Sequence, residues 1–246
     1  MRRHLRLGAM LLRLGLELAR GLWRVRTFPG LPAQQRHAAV RAWSRRMLRA
    51  TRVHLRMHGT PHHGACLMAA NHVSWLDIMA LNAAHPTRFV AKSEVRQWPL
   101  LGRLVAGAGT LFIERGRPRD AMRVMHDMAH CLRNGEHVSV FPEGTTSDGT
   151  HVLALHANLF QAAISAGTPV QPVLLRYVDA SGAPSRAAAY VDDDTILDTL
   201  RRIAEGPPIG VEVHYLPVLQ GEDRRQLAAS VQQALRAALH ATTSVG

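Results

Sequence analysis

Lysine is almost absent from this chain of 246 residues: of its 30 basic side chains only Lys92 is one, and the rest are arginine. Cysteine is equally scarce, with Cys66 and Cys131 alone. Two cysteines in apolar or helical surroundings give no disulfide framework and no metal-ligand spacing, so they read as small core residues. The 15 histidines are scattered, and the His62-His63 pair sits between Pro61 and Gly64, a turn setting. No metal site is expected. Aromatic residues make up 5% of the chain. Single-stranded nucleic acid needs stacking aromatics interleaved with a basic stripe, and neither that nor a known fingerprint is present, so nucleic acid is excluded as a partner. Long apolar runs are missing too. A bilayer span needs roughly 18 or more consecutive apolar residues, and arginines interrupt every candidate near the N-terminus. The same arginines break any signal-peptide core, and no small-residue cleavage site follows.

What the chain has is positive charge and aliphatic side chains. Net charge is +12 and hydrophobic residues make up 47%. The core must be aliphatic, and the surface is drawn to anionic partners. Placed on a helix, residues 2–24 gather Arg2, Arg6, Arg13, Glu17, Arg20 and Arg24 into one stripe, while Leu5, Leu11, Leu12, Leu14, Leu16, Leu18, Leu22 and Trp23 cover most of the rest. That pattern reads as an interfacial helix with leucines in the acyl boundary and arginines at the headgroups. Phe28-Pro-Gly-Leu-Pro32 is a linker, and a second basic helix is expected from Ala33 to Ala50. Residues 1–50 are therefore expected to form a membrane-docking segment and residues 51–246 a catalytic domain.

Beyond residue 50, strand-like runs alternate with helical patterns. The strands are expected at Val53–Met57, Ala65–Ala70, Arg88–Ala91, Thr110–Glu114, His137–Phe141, Val170–Tyr177 and Val211–Leu216, with helices including Arg119–Arg133 and Arg224–Leu239. Such alternation predicts an α/β fold, a layered mixed sheet flanked by helices. In Thr168-Pro-Val-Gln-Pro-Val-Leu-Leu175 two prolines argue for an edge strand or a strand start.

The run Asn71-His-Val-Ser-Trp-Leu-Asp77 is the sharpest chemical signal. Positions i and i+5 do not share a helix face, so His72 and Asp77 can meet only if His72 lies in a strand-to-helix turn and Asp77 in the first helical turn. Ser74-x-x-Asp77 supplies the matching capping-box start. A histidine oriented by a carboxylate is a general base, able to activate a hydroxyl for acyl transfer. Gly109-Thr-Leu-Phe-Ile-Glu-Arg115 reads as a strand that presents Arg115 at its end, where a guanidinium suits phosphate or carboxylate. Val138-Ser-Val-Phe-Pro-Glu-Gly-Thr-Thr-Ser147 is a second strand entering a polar turn. There Glu143 is placed to meet acceptor hydroxyls, and Gly144 allows close backbone approach.

Four blocks in order, NHVSWLD, GTLFIER, FPEGTTS and TPVQPV, resemble the glycerolipid acyltransferase superfamily, in particular bacterial lysophosphatidic acid acyltransferases with their HX4D motif. The resemblance implies that His72 deprotonates the acceptor hydroxyl, that Asp77 orients His72, and that Arg115 binds an acceptor phosphate. Glu143, Gly144 and Thr145 would shape the acceptor site, and Lys92 is a candidate for holding the thioester oxygen. It implies no cofactor: an acyl thioester on coenzyme A or acyl carrier protein is the co-substrate and a lysolipid the acceptor. Work at the cytoplasmic face of the inner membrane, as a peripheral or monotopic protein, is the matching expectation. The expected product is phosphatidate, made from 1-acyl-glycerol-3-phosphate. One departure bears on this: phosphate-accepting members often read FPEGTRS where this chain has Thr146. FPEGTTSDG is also similar to relatives that acylate lyso-ornithine lipid, which makes that lipid the alternative acceptor. An acyl-thioester hydrolase using the same base is a further alternative.

Overall fold

The protein was studied as a computed structural model, in which residues 2–114 and 118–243 are described. Arg115 lies outside the described residues. Helices α1 (Arg2–Val25) and α2 (Ala33–Ala50) lead into β1 (Val53–His58), β2 (Leu67–Ala70) and α3 (Leu76–Ala84). Then come β3 (Arg88–Lys92), the short helices α4 (Ser93–Arg96) and α5 (Leu101–Gly107), β4 (Leu111–Ile113), α6 (Pro118–Arg133) and β5 (Val138–Val140). The chain ends with α7 (Gln161–Ala166), β6 (Val170–Val178), α8 (Ile196–Glu205), β7 (Ile209–Tyr215) and α9 (Arg224–Thr243). The strands make one seven-stranded sheet in the order β1-β7-β6-β2-β5-β3-β4. All neighbours are parallel except β6 and β7. The expected mixed α/β sheet is what forms.

Side-chain alternation on the strands divides the core into two layers. On β2, Met68 and Ala70 join the cluster with Met10 and Leu14 of α1, Leu48 of α2, Leu76 of α3 and Ile203 of α8. Leu67 and Ala69 point the other way, to Met128 of α6, Ala163 of α7 and Val231 of α9. The first 50 residues thus contribute to a core shared with the sheet. Both cysteines are free and buried; burial pushes the Cys66 thiol up to about 12, and its Sγ lies 3.3 Å from Nδ1 of His137.

Strand β6 meets one of its two expectations. It is not an edge, since it lies between β7 and β2 and is buried along its whole length, but Pro169 and Pro172 do mark its start. The register explains this. The last β6–β7 pair is Val173 with Tyr215, and Pro172 turns its backbone toward β7, accepting from the N–H of Leu216 just where β7 ends. The N–H that proline lacks therefore falls where the ladder is already closing. Pro169 precedes the strand, and its carbonyl accepts from Leu67 N–H.

Glu17 also departs from expectation. It does not share the outward stripe with the arginines but is 6% exposed. Its carboxylate accepts from Arg20 (2.6 Å) and from Arg46 of α2 (2.8 Å), and its carbonyl accepts from the Trp43 indole at 2.8 Å. A buried carboxylate needs such donors, so Glu17 clamps α1 to α2. With that face turned inward, Leu5, Leu12, Leu16 and Trp23 form an outward stripe at seven-, four- and seven-residue steps, 52–67% exposed. No described helix is long and apolar enough to cross a membrane.

Candidate active site

Strand β2 ends at Ala70, and the next five residues turn the chain into α3. Asn71 closes the strand by imitating a ladder partner: its side-chain oxygen accepts from Leu175 N–H (2.7 Å) and its amide donates to Leu175 C=O (3.0 Å). The turn then brings His72 back over the helix start. Nδ1 of His72 lies 2.8 Å from Oδ2 of Asp77. The same oxygen accepts from the N–H groups of Val73 (2.7 Å) and Ser74 (2.9 Å). Asp77 thus forms half of the expected capping box, while the Ser74 hydroxyl takes Leu76 N–H instead.

Asp77 is fully buried, and taking a carboxylate out of water costs several kcal/mol unless it is richly hydrogen-bonded. Its second oxygen meets the hydroxyl of Tyr177 at 2.7 Å. Tyr177 is held in its neutral, donating form by complete burial and by the charge of Asp77, both of which push its hydroxyl well above the usual range. Because an ionised carboxylate can only accept, Nδ1 of His72 is the donor in this contact, which leaves Nε2 as the nitrogen able to serve as base. The ring stacks on Phe141 with centroids 3.9 Å apart and planes 11° off parallel. One fifth of the side chain remains exposed, so the base is oriented yet reachable.

The segment after β5 closes over this turn. Ser147 N–H donates to the His72 carbonyl at 2.8 Å. Gly144 sits at φ 71°, a left-handed position that a side chain would strain, and its N–H donates to Phe141 C=O at 3.1 Å. Glu143 is buried, and burial pushes its carboxyl up to about 8, with the Asp77 charge adding to the rise. The N–H groups of Leu153 and His72 oppose that rise by proximity, but neither closes a well-formed hydrogen bond, and both oxygens are left without a partner. At neutral pH this group is largely a neutral acid facing the dyad. Thr145 is exposed on the same turn.

A third segment latches on from the loop before α8. Tyr190 N–H donates to Val73 C=O at 2.9 Å, and the Thr146 hydroxyl donates to Tyr190 C=O. Next to it opens a cleft of about 540 Å³ whose lining includes Asp148, Arg186, Asp192, Asp193, Asp194 and Arg202. Two ion pairs cross it, Arg186 with Asp148 and Arg202 with Asp194. Lys92 ends β3, level with Asn71 but two strands away, which is about 10 Å across a sheet. It is exposed. The structure therefore unites His72, Asp77, Glu143, Gly144 and Thr145 around one turn and leaves Lys92 at the same end of the sheet. Tyr177, Asn71, Phe141 and Ser147 were not among the expected site residues. Tyr177 carried one signal: it is the one aromatic side chain of β6.

Chemically, this is an oriented imidazole with a free Nε2, a buried carboxylate ready to stabilise the imidazolium, and a neutral acid alongside. It can take a proton from a hydroxyl or a water.

The Acyltransferase family profile matches residues 52–176. A lyso-ornithine lipid O-acyltransferase of Pseudomonas aeruginosa is 38% identical over 239 residues, 95% of this chain and 91% of that protein. A 1-acyl-sn-glycerol-3-phosphate acyltransferase of Neisseria meningitidis is 36% identical over 243 residues, 96% of this chain and 92% of that protein. Among solved structures, the 1-acyl-sn-glycerophosphate acyltransferase PlsC of Thermotoga maritima shares the fold, with a TM-score of 0.71 at 18% identity over 98% of this chain and 95% of that one. The chain belongs to the acyltransferase family whose members include the lysophosphatidic acid and lyso-ornithine lipid acyltransferases.

Proposed function

We propose that this acyltransferase moves a fatty acyl group from a thioester of coenzyme A or acyl carrier protein to the free hydroxyl of a lysolipid, in one displacement and without a cofactor. The observation that carries the reading is the 2.8 Å contact between His72 and the buried Asp77. Nε2 of His72 takes the hydroxyl proton as the acceptor oxygen forms a bond to the thioester carbon. The carbon–sulfur bond breaks, and the proton leaves with the thiol. Asp77 stabilises the imidazolium between these events. Glu143, Gly144 and Thr145 shape the acceptor side, and the neutral acid of Glu143 is suited to hold the acceptor hydroxyl. Lys92 is assigned to the thioester oxygen and Arg115 to an anionic headgroup group, both on the resemblance alone.

The headgroup decides between two acceptors. Lysophosphatidate needs guanidinium or amide donors for a phosphate. Here Thr146 stands in place of an arginine and spends its hydroxyl on Tyr190 C=O, while Asp192 and Asp193 line the neighbouring cleft. That arrangement favours a headgroup carrying an ammonium and a carboxylate, as in lyso-ornithine lipid, over a phosphate monoester. The outward Leu5, Leu12, Leu16 and Trp23 stripe of α1, flanked by arginines, is assigned to an anionic bilayer, at the cytoplasmic face of the inner membrane.

The test is acyl transfer from a labelled thioester to lysophosphatidate and to lyso-ornithine lipid in parallel. His72→Ala and Asp77→Asn should each cost about a hundred- to ten-thousandfold in kcat. Retained transfer in both variants would end the dyad mechanism, and fatty acid released without any acceptor would favour hydrolysis.

A further inference from the structure

We propose that the turn Trp98-Pro99-Leu100 is a second lipid-inserting element, which sets the active-site end of the sheet against an anionic bilayer. The inference rests on the reading that the substrates are lipids, but not on the assignment of α1.

The turn holds a non-glycine residue at positive φ. Leu100 sits at φ 63°, ψ −53°, and Leu101 N–H donates to Pro99 C=O at 2.7 Å, closing a γ-turn with the leucine at its centre. A positive-φ γ-turn is the strained form, and glycine is the residue that would relieve it. Yet the position holds a leucine, and that residue is 58% exposed. Two residues earlier, Trp98 is 46% exposed. Hydrogen bonds such as Gly102 N–H to Trp98 C=O hold the backbone, but the leucine side chain gains little burial within the molecule, which points to a contact outside it. The framework behind the turn is rigid. Gly102 lies against the backbone of Arg96 so closely that a Cβ there would stand 2.1 Å from its carbonyl oxygen.

Position and charge identify the occupant. Strands β2, β5 and β3 are parallel, so the segment that leaves β3 at Lys92 starts at the end of the sheet where His72 lies. Helix α5, entered directly from Leu101, packs on α1: a Cβ on Gly21 would meet Leu104, and one on Gly107 would meet Val25. The segment that carries the turn is basic: residues 92–103 hold Lys92, Arg96 and Arg103 against Glu94 alone. An amphipathic tryptophan, an exposed leucine and a basic rim match the interface of an anionic bilayer. A water-filled setting gives the two side chains nothing to bury.

The experiment uses the full chain and phosphatidylcholine vesicles with and without phosphatidylglycerol. Trp98→Ala, Leu100→Gly and the double variant are compared with wild type by co-sedimentation, by thermal melting and by acyl transfer. Leu100→Gly should melt no lower than wild type, because glycine relieves the turn. It should nonetheless lose about tenfold in partition onto the phosphatidylglycerol vesicles, the order expected when one leucine no longer buries. Turnover of vesicle-borne lysolipid should fall with partition, and turnover of a short-chain, monomeric lysolipid should not. Unchanged partition in the double variant overturns the inference while leaving acyl transfer intact. Unchanged partition with a raised KM for an acyl-carrier-protein donor also overturns it and gives the turn to that protein. A wild type that binds vesicles but transfers no acyl group sinks the functional reading instead, with the partition result still standing.

Discussion

The Tyr177 hydroxyl donates a 2.7 Å hydrogen bond to Oδ1 of Asp77, from a strand 100 residues further along the chain. It occupies the one carboxylate oxygen that the His72 turn does not reach. The dyad is therefore fixed from two directions: from its own turn through Oδ2, and from the centre of the sheet through Oδ1.

Tyr177→Phe removes that bond and leaves a lone pair of a buried carboxylate unmet. A hydrogen bond to a charged group is worth about 1.5–3 kcal/mol. Melting should fall accordingly. Because Tyr177 touches Asp77 and not the substrate, kcat should drop about tenfold with KM for both substrates unchanged. A change confined to KM would remove Tyr177 from the positioning of the dyad.

Glu143 gives a pH dependence whose sign can be worked out. Its folded-state carboxyl is raised from 4.5 to about 8, first by burial and then by the Asp77 charge. The unfolded chain releases this proton near 4.5, while the folded chain keeps it. Stability from this group is intact below about 4.5 and is lost as pH climbs through about 8, by an amount on the order of a few kcal/mol. Glu143→Gln, which stays neutral, should melt like wild type at pH 5 and above it at pH 9. Parallel melting curves across that range would mean the carboxyl is solvated in solution.

The sheet and the dyad were legible in the sequence for a physical reason: both are written in local pattern. Apolar alternation set β2 and β5, and a five-residue spacing is enough to bring His72 to Asp77 across one turn. Helix α8 carried a local signal that went unused, the box in which Thr195 and Asp198 exchange hydrogen bonds. What was not legible depends on register between distant segments. Pro172 in a central strand makes sense only once β7 is seen to end opposite it. Glu17 fits the arginine stripe by periodicity, and only the position of Arg46 on α2 shows that it faces inward. Thr146 could be read as a missing arginine, but not as a donor to Tyr190.

Thr146 is also a handle on acceptor choice. Thr146→Arg breaks the bond to Tyr190 and places a guanidinium beside the turn that carries Glu143. It should raise kcat/KM for lysophosphatidate relative to lyso-ornithine lipid, by about tenfold if one bidentate phosphate contact forms. Asp192→Asn with Asp193→Asn should weaken the ornithine acceptor and spare the phosphate one. If neither variant moves the ratio of the two rates, the cleft beside Asp148 does not read the headgroup.

The bilayer contact proposed for the outward face of α1 can be split into apolar and electrostatic parts. Leu12 and Leu16 lie on the exposed stripe, whereas Met10 and Leu14 belong to the core. Leu12→Gln with Leu16→Gln should therefore leave melting unchanged while lowering partition onto anionic vesicles by about a hundredfold, the order of two leucines no longer buried. Arg13→Gln should act differently, because its charge is screened by salt. Its effect should be clear at low ionic strength and fade when the Debye length falls to about 3 Å at 1 M. Sedimentation of both variants across a salt series reads the two terms apart. A leucine variant that sediments like wild type at every salt concentration would mean that this face meets something other than lipid.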